Sequence, residues 1–282
     1  MKRLLFAACL ALLPALALAA EDDADVDIAG TKLAIPAPDG CKWIASDLPY
    51  ARLMERFVPP QNRQLALFLA EDDAAIVADG EVPEPTRLFY VQTAKAVVDR
   101  FATSADFAAA KKGIKSQHAS IAKEVEKQMP GFMEDVNKGI SAEYNVDVAL
   151  SVSQVVPLPP HHESDRSLAI SMLTKYAATD AGGNPVSWEA AVTTTLVHVK
   201  GKILFLYATA ERSDLEWSRE ASGKWAAAVI AANPSVGAVA EQECRGFDWG
   251  GIFKYGVIGA VAGGVLGALK KKKRPRDLTP VP

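Results

Sequence analysis

The chain has 282 residues, 49% of them apolar and 23% charged, with 19 glycines and 17 prolines. That composition excludes collagen-like, low-complexity and fully disordered chains. The formal charge of −3 hides a segregation: +2 over residues 1–20, −11 over residues 21–248 and +5 from Lys270 onward. An acidic body of this kind excludes nucleic acid as a partner, because phosphate binding needs clustered Lys and Arg.

Residues 1–20, MKRLLFAACLALLPALALAA, place two cations before an apolar run and small residues. This is the plan of a secretory signal peptide, with Ala17-Leu18-Ala19 as the cleavage motif, and the body then starts at Glu21. Cys9 is no lipidation site, since the apolar run continues ten residues beyond it. Val26 to Ile35 reads as a strand running into the turn Pro36-Ala37-Pro38-Asp39-Gly40. A short helix follows Ser46, with Pro49 in its first turn and Pro59-Pro60 beyond its end. Leu65 to Leu69 reads as a buried strand, Glu71 to Asp79 as one or two helical turns, and Arg87 to Gln92 as another strand.

From Ser104 to Ser141 the period becomes helical. Phe107, Ile114, His118, Ile121, Val125, Met129, Phe132, Val136 and Ile140 form one apolar stripe, and Pro130-Gly131 predicts two collinear helices or a kink. Period two then takes over. Val146, Val148, Leu150 and Val152 form a first alternating set, Leu168, Ile170, Met172 and Tyr176 a second, and Ala191 to Val199 a third strand. Lys200-Gly201 supplies a hairpin turn into Ile203 to Tyr207, which is apolar on both faces as a central strand should be. Ser213-x-x-Glu216 reads as a capping box for a last helix carrying Trp217, Ala221, Trp225 and Val229, ended by Asn233-Pro234. This order gives one α+β domain over residues 21–233, an antiparallel sheet covered by helices.

The segment GKILFLYATAERSDLEWSREASGKWAAAVIAANP resembles the end of the PsbP-type fold, which a thylakoid photosystem subunit shares with small periplasmic proteins. The opening DIAGTKLAIPAPDG before Trp43 is similar to the start of that fold. The resemblance covers roughly residues 25–233 and is one of layout, an α/β/α sandwich. It carries no functional residue over to this chain.

Beyond a stalk, residues 234–248, the chain is expected to form a transmembrane helix over residues 249–269. With Gly250 to Phe253, the uncharged run from Tyr255 to Leu269 reaches about twenty residues, enough to cross roughly 30 Å of hydrocarbon. Lys254 lies near its outer end, where it can snorkel. Lys270, Lys271, Lys272, Lys273 and Arg274 form a stop-transfer block that the positive-inside rule keeps in the cytoplasm, within a basic tail over residues 270–282. Both ends thus orient the body to the periplasmic side of a bacterial inner membrane, crossed once. Gly259, Gly263 and Gly267 share one helical face, a small-residue ridge that suits a homodimer through the membrane helix. Cys41 and Cys244, left after the signal peptide, are candidates for a disulfide, which would stabilise by about 5 kcal/mol in the chain-entropy model.

Standard catalytic signatures are missing: there is no G-x-S-x-G, H-E-x-x-H, P-loop or C-x-x-C. His161-His162-Glu163-x-Asp165 is the densest set of potential metal ligands, but adjacent histidines on an extended chain point apart, and the flanking prolines mark a solvated turn. His118 reads as a core histidine and His198 as strand filler. No catalytic residue, metal or cofactor is therefore expected. The sequence points to a non-catalytic binding or scaffolding domain that meets an envelope protein. The alternatives are a membrane-tethered hydrolase or metal-dependent enzyme with a site assembled from scattered residues, or a subunit of a larger envelope complex.

Overall fold

The structure is a computed structural model, and it describes residues 22–144, 148–179, 183–234 and 249–264. Strands β1 (Ala24–Ile28) and β2 (Thr31–Ile35) pair antiparallel, so the expected single strand is a hairpin. Its turn, Ala29-Gly30, holds both residues at positive φ, 49° and 82°, the twist that suits a two-residue hairpin loop. Asp27 supports it locally, its carboxylate accepting from the Gly30 N–H at 2.7 Å.

Next come β3 (Cys41–Trp43), α1 (Pro49–Glu55), β4 (Asn62–Ala70), α2 (Glu71–Ala78) and β5 (Arg87–Ala94). Pro49 starts α1 where a missing N–H costs nothing, and Glu71, Asp72 and Asp73 fill the first turn of α2, where the helix dipole favours carboxylates. The stripe from Phe107 to Ile140 folds as one helix, α3 (Ser104–Tyr144), with Pro130 inside it rather than between two helices. Val125 and Met129 before the proline, and Met133 and Val136 after it, are buried in one cluster. Packing on both sides thus outweighs the one backbone bond that Pro130 removes. Thr103 and Asp106 cap the start reciprocally, at 2.9 and 3.1 Å. The side chains of His118 and Ile121 lie outside the described residues.

The remaining strands are β6 (Ser151–Pro157), β7 (His162–Glu163), β8 (Ser167–Thr179), β9 (Pro185–Val199) and β10 (Lys202–Glu211). Lys200-Gly201 makes the predicted tight turn, at φ 46° and 75°. Helix α4 (Leu215–Ala232) follows a 3-10 turn with Asp214 at its N-cap and no side-chain capping bond. The Ser213–Glu216 capping box therefore does not form, because Ser213 is taken up in the turn before the helix. The last described element is α5 (Trp249–Gly263).

Eight strands form one antiparallel sheet in the order β3-β4-β5-β10-β9-β8-β6, with β7 beside β8. β10 is central and buried on both faces, as ILFLY predicts. One face of the sheet packs against the β1–β2 hairpin and α4 around Trp225. The other packs against α1, α3 and α5. The fold is α+β, an antiparallel sheet covered by helices.

Two further expectations fall partly on the described residues. The apolar run expected to span a bilayer is described as far as Gly264 and forms α5 over Trp249–Gly263; among the described residues no helix is long and apolar enough to cross a membrane. An apolar helix without a polar face needs an apolar host, and here the sheet supplies it. Cys41 carries a free thiol, and no disulfide is seen among the described residues, Cys244 lying outside them. Burial, then Asp39, Asp73 and Glu71, push the Cys41 pKa up to about 11, so the thiol is protonated and weakly nucleophilic at neutral pH. Residues 1–21, 235–248 and 265–282 also lie outside the described residues, and with them the signal peptide, most of the stalk, Gly267 and the block Lys270, Lys271, Lys272, Lys273 and Arg274.

Candidate helix-binding groove

Among the described residues, polar side chains from several strands converge on the groove that α5 fills. Five adjacent strands each send one donor to a backbone carbonyl, four to this helix and one to Gly264, the residue after it. Asn62 on β4 donates from Nδ2 to the Tyr255 carbonyl at 3.0 Å. Tyr207 on β10 donates to Gly256 at 2.9 Å, and Tyr90 on β5 shares its proton between Gly259 at 3.1 Å and Ala260 at 3.3 Å. Tyr176 on β8 donates to Val261 at 2.6 Å, and the Trp188 indole on β9 to Gly264 at 3.4 Å. A carbonyl has two lone pairs, so the bonds to Tyr255, Gly256 and Gly259 add to the intrahelical ladder of α5 without replacing it.

The strands hold the donors in fixed positions. Tyr90 and Tyr207 are directly opposite across the β5–β10 ladder, their rings stacked at 4.4 Å between centroids. Tyr176 stacks on Trp188, its partner across β8–β9, at 5.2 Å. All three tyrosines are fully buried, and burial pushes their pKa values well up. They stay protonated, and they are donors at any physiological pH. Gln92 completes the floor by accepting from Asn62 Nδ2 at 2.8 Å.

The glycines of α5 allow the helix to reach these donors. A Cβ added at Gly256 would meet the Phe205 ring at 2.8 Å, and one at Gly259 would meet Gln92 Oε1 at 2.5 Å and the Tyr207 hydroxyl at 2.9 Å. At Gly263 it would strike the Tyr90 ring, and at Gly264 the Tyr176 hydroxyl. The small-residue ridge is therefore a close-approach surface, but Gly259 and Gly263 face the sheet of the same chain, not a second helix. At the rim, Lys254 lies 3.9 Å from Glu124 on α3 rather than snorkelling.

The residues singled out for chemistry are scattered. Glu163 pairs with Lys111 at 3.3 Å and Lys115 at 2.7 Å on α3, away from its histidine neighbours. His161 Nδ1 is 3.5 Å from the Ser171 hydroxyl, but Ser171 is wholly buried and already bonded to Thr193 at 2.9 Å and to Arg219 at 3.2 Å. Thr193 continues to Ser218 at 2.8 Å, and Thr195 bonds Ser222 at 2.7 Å. These hydroxyls pin α4 to the sheet. Among the described residues no group of three or more His, Cys, Asp and Glu side chains could hold a metal ion.

His198 is a core residue, stacked on Phe107 with Nε2 2.7 Å from the Ala102 carbonyl. Burial, then the nearby Arg166, lower its pKa, while the Ala102 carbonyl and Asp106 oppose them. The imidazole is thus neutral and Nε2–H donates. As pH falls below the unfolded value of about 6.5, the unfolded chain takes up a proton that the folded chain resists, so stability is lost. Urea midpoints at about pH 7.5 and about pH 5.5 should differ more for wild type than for His198→Gln. Equal differences would show that folded His198 protonates freely.

Asn62, Tyr90, Tyr176, Trp188 and Tyr207 are groove residues that no motif in the sequence marks. For the four aromatics the one visible signal is a polar tip at an inward position of an otherwise apolar strand, where a buried hydroxyl or indole N–H calls for a partner; Asn62 gives no such signal.

No family model matches the chain, and no curated protein matches it. Among solved structures it is similar to cyanobacterial PsbP (CyanoP) from Synechocystis, at 10% identity and TM-score 0.32, covering 80% of this chain and 99% of that one. It is also similar to the Ran-binding protein Mog1p of Saccharomyces cerevisiae, at 10% identity and TM-score 0.25, covering 76% and 93%.

Proposed function

We propose that this is an exported, non-catalytic binding domain of the bacterial envelope whose groove receives an apolar, glycine-bearing helix, with α5 as its occupant in cis. The observation that carries this reading is the set of five strands, each placing one donor on a backbone carbonyl of α5 or of Gly264, the residue after it. Apolar walls select an apolar helix, and the donors set its register. Glycines at spacings of three and four let the backbone come within hydrogen-bond reach. Residues 1–20 and their cleavage motif support export, and the partner in trans is an envelope protein offering a helix of the same kind.

A specific protease site introduced within residues 235–248 tests the groove. After cleavage, the C-terminal fragment should stay bound and exchange with a labelled synthetic peptide of residues 249–282. A peptide carrying Gly259→Ile and Gly263→Ile should not compete. Immediate loss of the fragment, with no peptide uptake, would remove the reading. Export has its own check: alkaline phosphatase fused after Asn233 should be active, and an inactive, stable fusion would place the body in the cytoplasm.

A further inference from the structure

We propose that α5 has two alternative hosts, the groove and an anionic bilayer, and that the strength of the groove sets the share of exported molecules that remain in the membrane. This rests on the groove being a helix-binding site and adds a second destination for its occupant.

Four observations carry it. First, the carbonyls of Tyr255, Gly256 and Gly259, which accept from Asn62, Tyr207 and Tyr90, each have the residue four positions on within α5. The groove bonds on these three are extra bonds on a helix, so release leaves none of them unpaired, the condition that lipid imposes on a spanning segment. The groups left unpaired are side chains of the groove, which water can reach once the helix is gone. Second, residues 249–269 contain no acid and one cation, Lys254, and Lys254 already sits at the rim against Glu124. The full run has the length to cross a bilayer.

Third, the charge distribution fits a membrane on one side only. Lys270 to Arg274 follow the apolar run directly, whereas residues 21–248 stand at −11. Anionic headgroups attract the first and repel the second, so the basic block is held at the cytoplasmic surface and the body away from lipid. Fourth, the body is closed without α5's tether: α4 ends at Asn233, whose side chain bonds Ala34 and Val229. The chain over residues 235–248 can extend to about 50 Å, enough for α5 to leave while α4 stays in place.

Export is the moment of choice. As residues 249–269 pass the translocation channel, lipid and groove compete for the same segment. Capture by lipid leaves the tail inside, and capture by the groove carries the tail out with a soluble protein.

The test uses the full chain with its own residues 1–20, expressed in bacteria and carrying alkaline phosphatase after Pro282. The fusion is silent when the tail stays inside and active when α5 is docked outside. Carbonate-extracted membranes and the periplasmic fraction are measured in parallel. Tyr90→Phe with Tyr207→Phe keeps both rings and removes two donors. It should raise the membrane-retained share several-fold and lower fusion activity in proportion. Replacing Lys270 to Lys273 with Gln should do the reverse. The proposal is overturned if wild type and the double Tyr→Phe variant partition identically, whether wholly soluble or wholly retained. It is overturned equally if differently tagged periplasmic copies co-purify by exchanging α5, which would make a second copy the alternative host. The cleaved-fragment exchange stands or falls separately, so failure here with exchange intact removes only the membrane host.

Discussion

Gly263→Ile in the intact chain is expected to expel α5 from the groove while the body stays folded. The new side chain has nowhere to go. Even its Cβ would strike the Tyr90 ring, and Tyr90 cannot give way because it is fully buried and stacked on Tyr207 at 4.4 Å. Overpacking of a tight site costs about 1–3 kcal/mol and sometimes more. The gain from replacing an interior helical glycine, about 0.5–1 kcal/mol, is too small to offset it. Displacement also strips the hydroxyls of Tyr90, Tyr176 and Tyr207 of their partners. The expected result is fast cleavage by a non-specific protease after residue 234, with a lowered Tm for the remainder. Gly113→Ala, on α3 with nothing within 4 Å of the added Cβ, is the control and should be neutral or slightly stabilising. Wild-type protection of α5 in Gly263→Ile would show that close approach of glycine is not what holds the helix.

Trp225→Ala is expected to have the largest effect on stability of any single change, about 3–5 kcal/mol. Trp225 is the centre of the second core, on the face opposite the groove. It packs edge-on to Phe68 at 5.7 Å and to Phe89 at 5.3 Å, and its indole N–H donates to the Pro36 carbonyl at 2.8 Å. Truncation empties the site between α4 and the sheet and leaves that carbonyl unpaired. For a domain of this size the loss corresponds to a fall in Tm on the order of 10 °C. Trp225→Phe retains much of the volume and loses the hydrogen bond, so it should cost clearly less. A calorimetric Tm within about 2 °C of wild type for Trp225→Ala would mean that α4 contributes little to the fold.

The two changes act on separate clusters, one on each face of the sheet. Trp225→Ala should therefore leave fragment exchange at the groove unchanged under conditions where the protein remains folded. Gly263→Ile should leave the packing of Trp225 intact, which near-ultraviolet circular dichroism can follow. Additivity of this kind holds for sites that share no partners.

Much of the fold was legible because local chemistry decided it. The ILFLY run of β10 is apolar at every position, and only a strand covered on both faces accommodates that. Pro49, Lys200-Gly201 and the Phe107–Ile140 stripe each favour one backbone state, whatever lies elsewhere in the chain. Where local signals were weak or balanced, tertiary packing chose. Val26 to Ile35 reads as one strand because Ala29 gives no turn signal. Asp27 and Gly30 hold the hairpin instead, and Ala29 takes its positive φ within it. Pro130 reads as a break, yet the cluster on either side keeps α3 whole.

The sequence by itself determined that residues 249–269 require an apolar host and that Gly259 and Gly263 mark a surface of close approach, because composition and helical spacing are local properties. What meets that surface is a matter of long-range geometry. The contacts run from Asn62 to Tyr255, from Tyr90 to Gly259 and from Tyr176 to Val261, separations of 193, 169 and 85 residues. No periodicity in one segment encodes a partner so far away. Lipid, a second helix and a sheet face lined with tyrosines all satisfy an apolar glycine-bearing helix. Only the folding of β4, β5, β8, β9 and β10 into one sheet brings five donors into line and makes the third choice available.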